Sequence, residues 1–325
     1  MIVYGVVVDV LSDLLHRARA ENAVVRQLIL RPPWSVTIAD AFPLSAVAAL
    51  EGSVTVSLHR AAAGPPAAHT LHEGDCALVK GGVYTIADSA RTPSQVIIRD
   101  GVKRFKDAAG ADAVRVIAAR TYGVRQPGAI VMLHGIYRLH GSAGGRLLDL
   151  LPEVTIVPAG PRTRGPLELL SVEAERDEPG QDAVLNRLLD LVLVIALRYW
   201  GASTGPGLPA WLGAVADPAV GAALAILHDD PGRRWTTAAL ASKVGMSRAA
   251  FSARFTSLVG DPPISYLTGW RMTLAADLLR DTDATVAAVA REVGYESAFA
   301  FSAAFKRAHG LSPAGWRRAG RDGAS

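Results

Sequence analysis

The sequence predicts a two-domain α+β protein: an N-terminal antiparallel β-barrel or sandwich and a C-terminal all-α domain. Three observations predict it. Short β-prone runs separated by turn residues fill the chain from about Ala23 to Val172. Apolar residues at helical spacing take over after Pro179-Gly180. A helical unit of about fifty residues then occurs twice near the C-terminus. At 325 residues the chain exceeds the roughly 100–200 residues of one domain.

The clearest strand candidates are Val24–Leu30, Ser53–Leu58, Cys76–Val79, Val83–Ile86, Gln95–Ile98, Ile130–Leu133 and Val154–Val157. Gly64-Pro65-Pro66, Glu73-Gly74-Asp75, Gly81-Gly82 and Pro127-Gly128 punctuate them, the spacing of a sandwich or barrel. Ala61–Ala68 and Ala108–Ala119 read as loops or partly ordered excursions. From Asp182 to Trp200, residues Leu185, Leu188, Leu189, Val192, Ile195, Leu197 and Tyr199 mark a helix. Its apolar surface fits either a dimer contact or packing on the barrel within one chain. Residues 202–209 read as a flexible connection, so the expected division is 1–178, a helical linker and dimerisation segment over 179–210, and 211–325.

Composition narrows the function classes. The longest apolar stretch, Leu188–Leu197, is interrupted by Asp190 and is half the ~20 residues a bilayer span needs. No signal-peptide pattern opens the chain, and one cysteine, Cys76, fits a reducing compartment, so a cytoplasmic protein without membrane contact is expected. Gly221–Ser325 holds 13 Lys/Arg against 9 Asp/Glu, whereas residues 1–220 hold 21 of each. The positive excess therefore lies in the region of the repeat, which suits a polyanionic partner.

The repeat spans Thr236–Pro263 and Thr285–Pro313; Gly245/Gly294 are 49 residues apart, while Phe251/Phe301, Phe255/Phe305, Gly260/Gly310 and Pro263/Pro313 are 50 apart. Each copy has the parts of a helix-turn-helix. Thr236 or Thr237, and Thr285, cap a short helix; Leu240/Val244 and Val289/Val293 form its apolar stripe; Gly245 and Gly294 end it in the left-handed conformation. Ser247 and Glu296-Ser297 open a second helix whose phenylalanines, four apart, face the core. Ile264–Arg280 reads as one amphipathic helix that joins the copies.

These residues resemble a known family. The runs "LA..VGMS...F...F....G.PP..YL..WRM..A..LL" and "VA..VGY.S...FS.AFKR..G.SP..WRR", within Trp235–Arg318, closely resemble the AraC/XylS-type DNA-binding domain, a tandem helix-turn-helix. The preceding two thirds look like the cupin-type sensor of one AraC subgroup, through Arg31-Pro32-Pro33-Trp34, Glu73-Gly74-Asp75, Ile86-Ala87-Asp88, Leu150-Leu151-Pro152, Pro209-Ala210-Trp211-Leu212 and Ala216-Asp217-Pro218. The resemblance implies a DNA-binding transcription regulator, not an enzyme, with double-stranded DNA and a small-molecule effector as partners. A homodimer is expected, and RNA polymerase is a further candidate partner. Two alternatives stand beside it: a metal-dependent cupin enzyme fused to a DNA-binding domain, and a constitutive DNA-binding protein with a vestigial barrel.

Position on the second helix of each unit sets the base-facing candidates: Arg248, Ala249, Ser252 and Ala253 in the first; Ser297, Ala298, Phe299, Ser302 and Ala303 in the second. The family usually places Arg where this chain has Ala253 and Ala303, so both guanine-reading forks are missing. Arg248 and Arg254 are the candidates to compensate in the first unit. Phe299 and the alanines of the second are limited to apolar contacts, such as thymine methyls, or to DNA shape. Phosphate candidates are Thr236, Arg254, Arg271, Thr285, Lys306, Arg307, Arg317 and Arg318; a surface role or pairing with Asp277 and Glu292 is the competing reading.

No catalytic residue, cofactor or metal site is assigned. His69, His72 and Glu73 lie together as HTLHE, with His59, His134 and His140 on or near strands, but the spacing is not the cupin HxH pattern. The subgroup commonly has His where this chain has Tyr84 and Pro43. Cys76 reads as a small buried hydrophobe rather than a redox sensor. No Gly-rich phosphate loop, nucleophile elbow or paired-acid arrangement stands out, and the residues that would bind an effector are not legible.

Overall fold

The computed structural model describes residues 13, 24–40, 42–59, 67–106, 110, 114–139, 141–202, 214–215 and 217–322. The loop segment 61–66, the connection 203–213, the motif at 209–212 and His140 lie outside them. The chain divides into two units, Ala20–Leu139 with Leu148–Ser203, and Met1–Arg19 with His140–Leu147 and Thr204–Ser325.

The first unit is a β-sandwich. One sheet has the order β10 (Val116–Ala118), β11 (Thr121–Gly123), β1 (Val24–Leu30), β12 (Ile130–Tyr137), β3 (Leu44–Glu51), β6 (Cys76–Lys80) and β13 (Val154–Val157). The other has the order β5 (Ala67–Leu71), β4 (Val54–His59), β7 (Val83–Ala87), β2 (Ser35–Ile38), β8 (Val96–Arg99) and β9 (Val102–Phe105). Pairing is antiparallel except at β1–β11 and β2–β8. Leu28, Leu30, Val47 and Met132 of one sheet meet Val36, Val56, Ile86 and Val96 of the other in one buried core.

Helices α1 (Gly141–Leu150), α2 (Pro161–Ala174) and α3 (Gln181–Ala202) follow β12, with β13 between the first two. α2 packs on β1 and β3, and α3 on β6 and β13, so the seven-stranded sheet is covered on its outer face as well. That is why β3 escapes a search for alternation: Leu44–Ala49 is buried at every position. α3 matches the expected helix, but it is not a free-standing linker. Leu185, Leu189, Val192, Leu193 and Leu197 are buried, and the Tyr137 hydroxyl donates to the carbonyl of Leu189 at 2.9 Å.

The family motifs fix loop geometry. Asp88 accepts from the Trp34 backbone N–H at 3.1 Å and the Thr92 hydroxyl at 2.8 Å. Asp75 accepts from the backbone of His72 and Ala159, both at 2.8 Å, and Lys80 donates to the carbonyl of Leu151 at 3.0 Å. Gly74 has φ +84°, and a Cβ there would meet the Ala159 methyl at 2.8 Å, so only glycine fits.

The second unit is helical: α4 (Pro218–Asp229), α5 (Thr237–Lys243), α6 (Arg248–Val259), α7 (Pro263–Asp281), α8 (Val286–Glu292), α9 (Ala298–His309) and α10 (Pro313–Asp322). Its core joins Leu240, Phe251, Phe255, Trp270, Val289, Phe301 and Phe305. Residues 140–147 group with it rather than with the sandwich, although strand and helix are continuous in sequence. Asp277 accepts from the Ser142 N–H at 2.7 Å at the start of α1, and Arg146 lies over the Tyr266 ring at 4.9 Å. Buried His228 bridges Asp13 at 2.8 Å and the Tyr266 hydroxyl at 2.7 Å, and stacks on Trp270.

Candidate DNA interface and sandwich cavity

Each helix-turn-helix is assembled by matching local devices. Thr236 accepts from Ala239 N–H and Thr285 from Ala288 N–H, both at 3.1 Å, which caps α5 and α8. Ser247 and Ser297 cap α6 and α9 through Ala250 and Ala300. The turns close with Met246 N–H bonded to Ala241 at 2.9 Å and Tyr295 N–H to Ala290 at 2.8 Å. Phe251, Phe255, Phe301 and Phe305 are fully buried.

The reading faces differ. Arg248, Ala249 and Ala253 are exposed at the start of α6 and Ser252 is half-buried. On α9, Ser297, Phe299 and Ala303 are exposed, and Ala298 and Ser302 half-buried. Phe299 is 85 % exposed. The Ser302 hydroxyl donates to the Ala298 carbonyl at 2.7 Å, a bond that competes with any contact to a base.

Three of the expected phosphate-contacting cations have intramolecular partners, which a phosphate would have to displace. Arg254 forks onto Asp217, the cap of α4, at 2.9 and 2.5 Å. Asp217 also accepts from Ala219 and Val220, and the hydrogen bond from Arg254 is the leading cause that lowers its pKa. Arg271 donates to the carbonyls of Pro231 at 2.6 Å and Arg233 at 2.8 Å. Arg317 donates to Leu279 at 3.0 Å and Ala284 at 2.5 Å. Carbonyls left open at loops and helix ends are good acceptors for a guanidinium, and sequence spacing gave no sign of these partners. Lys306, Arg307 and Arg318 are exposed and, among the described residues, make no ion pair. Arg234, not singled out from sequence, pairs with Glu296 in the second turn.

Within the sandwich, Leu28, Val36, Ile38, Ile86, Val96, Ile98 and Met132 wall a narrow cavity of about 20 Å³, room for about one water. Arg26, Trp34, Lys103, Tyr122 and His134 also line it. His134 is buried and bonds through Nε2 to the Tyr84 hydroxyl at 2.8 Å. Burial, with the Arg26 charge adding to it, pushes its pKa down to about 3, so the ring is neutral at neutral pH. Cys76 is buried, and desolvation followed by Asp75 pushes its thiol up to about 12, far from a reactive thiolate. The other predicted histidines do not converge. His59 bonds to Thr85 at 2.7 Å and His72 lies 3.6 Å from Asp75. No cluster of three potential metal ligands occurs among the described residues.

Comparison with known proteins matches both units. Residues 9–202 match a family model described as Cupin, and residues 240–319 one described as Helix-turn-helix domain. An AraC-like transcription regulator of Streptomyces antibioticus is 31 % identical over 95 % of this chain and 98 % of its own. This chain belongs to the AraC-like transcription regulators. A second such regulator, from Streptomyces lividans, is 32 % identical over 77 % of this chain and 86 % of its own. The regulator AlkR of Acinetobacter baylyi is 28 % identical over 77 % and 81 %. Among solved structures, the DNA-binding domain of AdpA in complex with a target DNA is 34 % identical over 33 % of this chain and 95 % of that one, with a TM-score of 0.31.

The protein is therefore a DNA-binding transcription regulator of the AraC type, with a cupin-like N-terminal sandwich. No helix among the described residues is long and apolar enough to cross a membrane.

Proposed function

We propose that this AraC-type regulator reads DNA mainly through α6, positions itself on the backbone through α9, and takes orders from a small molecule in the sandwich cavity. The observation that carries the proposal is the contrast between the two reading faces: one exposes Arg248, the other Phe299 and alanines. Arg248 can fork onto guanine, the commonest specific contact in the major groove. Lys306 and Arg307 in the last turn of α9, with Arg318, are the phosphate donors. Thr236 and Thr285 place open backbone N–H groups at the starts of α5 and α8.

The effector reading rests on the chain path that leads from the sandwich strand lining this cavity into the DNA-binding half. β12 contributes Met132 and His134 to its wall, and the same chain continues into α1, whose first turn is held by Asp277 of α7. A ligand that shifts β12 can thus bias the helix that joins both DNA-binding units, provided it prefers one of two pre-existing states. We read the cavity as a sensor and not a catalytic centre because His134 is neutral and already bonded to Tyr84. Exposed Leu169, Val172, Val184, Leu191 and Tyr199 on α2 and α3 support a homodimer contact. RNA polymerase is a further proposed partner, and the cytoplasm the proposed site of action.

The test is selection of DNA fragments by the full-length protein, with and without cell extract. A shared motif whose recovery changes with the low-molecular-weight fraction of the extract is expected. Fragments without any common sequence would end the base-reading proposal.

A further inference from the structure

We infer that the first turn of α9 reads the 5-methyl group of pyrimidine bases through Phe299, so that thymine and 5-methylcytosine are taken alike and cytosine methylation strengthens a target site. The inference rests on the proposed docking of this regulator on DNA through α6 and α9, and gives the second unit a base contact of stated chemistry.

Three observations meet on one face of α9. The first is the place of the ring. Phe299 is 85 % exposed, the most exposed large apolar side chain among the described residues. It stands second in α9, at the end of a recognition helix that faces base edges. Ser302 and Ala303 follow three and four residues later and share its face. Phe301 and Phe305 are buried in the core on the other side, which fixes the ring of Phe299 outward. Exposed Lys306 lies two turns on, nearly in line with Phe299 and about 10 Å along the axis, so a phosphate contact and a base contact fit one docking.

The second observation is that the polar groups around the ring are already engaged. The Ser302 hydroxyl donates to the Ala298 carbonyl at 2.7 Å, so its proton is not offered to a base. Ser297 Oγ accepts from the Ala300 N–H as the cap of the helix. Glu296, the neighbouring acid, is paired with Arg234. Ala298, Ala300 and Ala303 have no polar side-chain atom. Nothing on this face can fork onto a guanine or an adenine.

The third observation is the contrast with α6, where Ala249 holds the position of Phe299 beside the free fork of Arg248. The phenyl ring is thus peculiar to the second unit. In the major groove the one apolar feature of a base edge is the methyl at C5 of thymine, which cytosine lacks. A methylated cytosine carries the same methyl at the same place. The two bases then differ only in a 4-oxo acceptor against a 4-amino donor, and an apolar face does not distinguish them.

The experiment titrates the full-length protein on the site obtained by fragment selection, synthesised with single base replacements. Deoxyuridine in place of thymidine removes only the methyl. At the positions under α9 it is expected to weaken binding about three- to five-fold, the share of one buried methyl. A C·G pair there should bind as weakly, and 5-methylcytosine paired with guanine should recover most of the loss. Phe299→Ala should bind thymidine and deoxyuridine sites alike, while Phe299→Leu should keep the preference; the unfolding midpoint of each variant reports that the domain is intact. If deoxyuridine binds as well as thymidine at every position, or if the preference survives Phe299→Ala, the inference fails and the selected motif leaves the DNA-reading proposal standing. Altered DNA bending by Phe299→Ala, with no thymidine preference in the unaltered protein, would make the ring a wedge between base steps and equally overturn it. Selected fragments without a common sequence would overturn both.

Discussion

At the start of α6 stand Arg248 and Ala249; at the matching positions of α9 stand Ala298 and Phe299. Around these positions the two units agree closely. Both have a threonine cap, a glycine with positive φ in the turn, a serine cap, two buried phenylalanines and a left-handed glycine at the end. Packing allows few solutions, so both copies keep the same one. The face turned to solvent carries no such constraint, and there the copies have diverged. The end of each second helix differs too, since α9 has Lys306, Arg307 and His309 in its last turn and α6 has no basic residue there. The lesson is that one fold repeated twice need not perform one task twice.

The strongest way to break this comparison is through the shared core. Phe255→Ala and Phe305→Ala should each cost about 3–5 kcal/mol of stability, as expected for truncating a fully buried aromatic ring. Denaturant unfolding measures both; a loss under 1 kcal/mol in either unit would show that the two cores are not equivalent.

Next comes base reading. Arg248→Ala should weaken binding to the selected site by about 1–3 kcal/mol and relax preference at one base pair, whereas Phe299→Ala should cost about 1 kcal/mol or less. Titrations on the selected fragment and on variants at each base pair measure this difference. Equal losses would make the reading symmetric after all.

A smaller effect is expected at the backbone. Lys306→Ala and Arg307→Ala should weaken binding to all sequences alike, and each should reduce the salt dependence of log K by about one phosphate contact. A loss confined to one sequence would instead assign the residue to base contact.

The smallest effect concerns Arg254, which the first unit uses to hold Asp217 and the second replaces with buried Ala304. The depressed Asp217 pKa means the pair's contribution is fully present above the ordinary value of 3.8 and fades as pH falls below it. Arg254→Ala should therefore flatten acid-induced loosening of α4 below pH 3.8 and leave base preference unchanged. Hydrogen exchange at acid and neutral pH, with the same DNA titration, measures both; changed base preference would return Arg254 to the reading face.

The long helices were legible because their apolar residues recur at one period: α3 and α7 begin and end within two residues of expectation. Among the strands, β1 and β13 matched and β6, β7, β8 and β4 nearly so, because turn residues bracket them. β3 and α2 were missed for opposite reasons: β3 is buried without alternation, and α2 contains Gly165 and Pro166, residues that ordinarily end a helix. At the candidate site, the exposed reading-face residues follow from helix position alone. The internal bonds of Arg254, Arg271 and Arg317 do not, since each partner lies more than thirty residues away.

The amino-acid sequence by itself determined the tandem helical unit, the asymmetry of its two reading faces and the charge excess around them. Those properties depend on spacing within a helix, which short-range geometry settles. Only the tertiary structure decided which arginines remain free, which chain segment meets α7, and that Arg26, Trp34 and Lys103 share one apolar cavity. Those properties depend on residues distant in sequence becoming neighbours, and no local period records such a meeting.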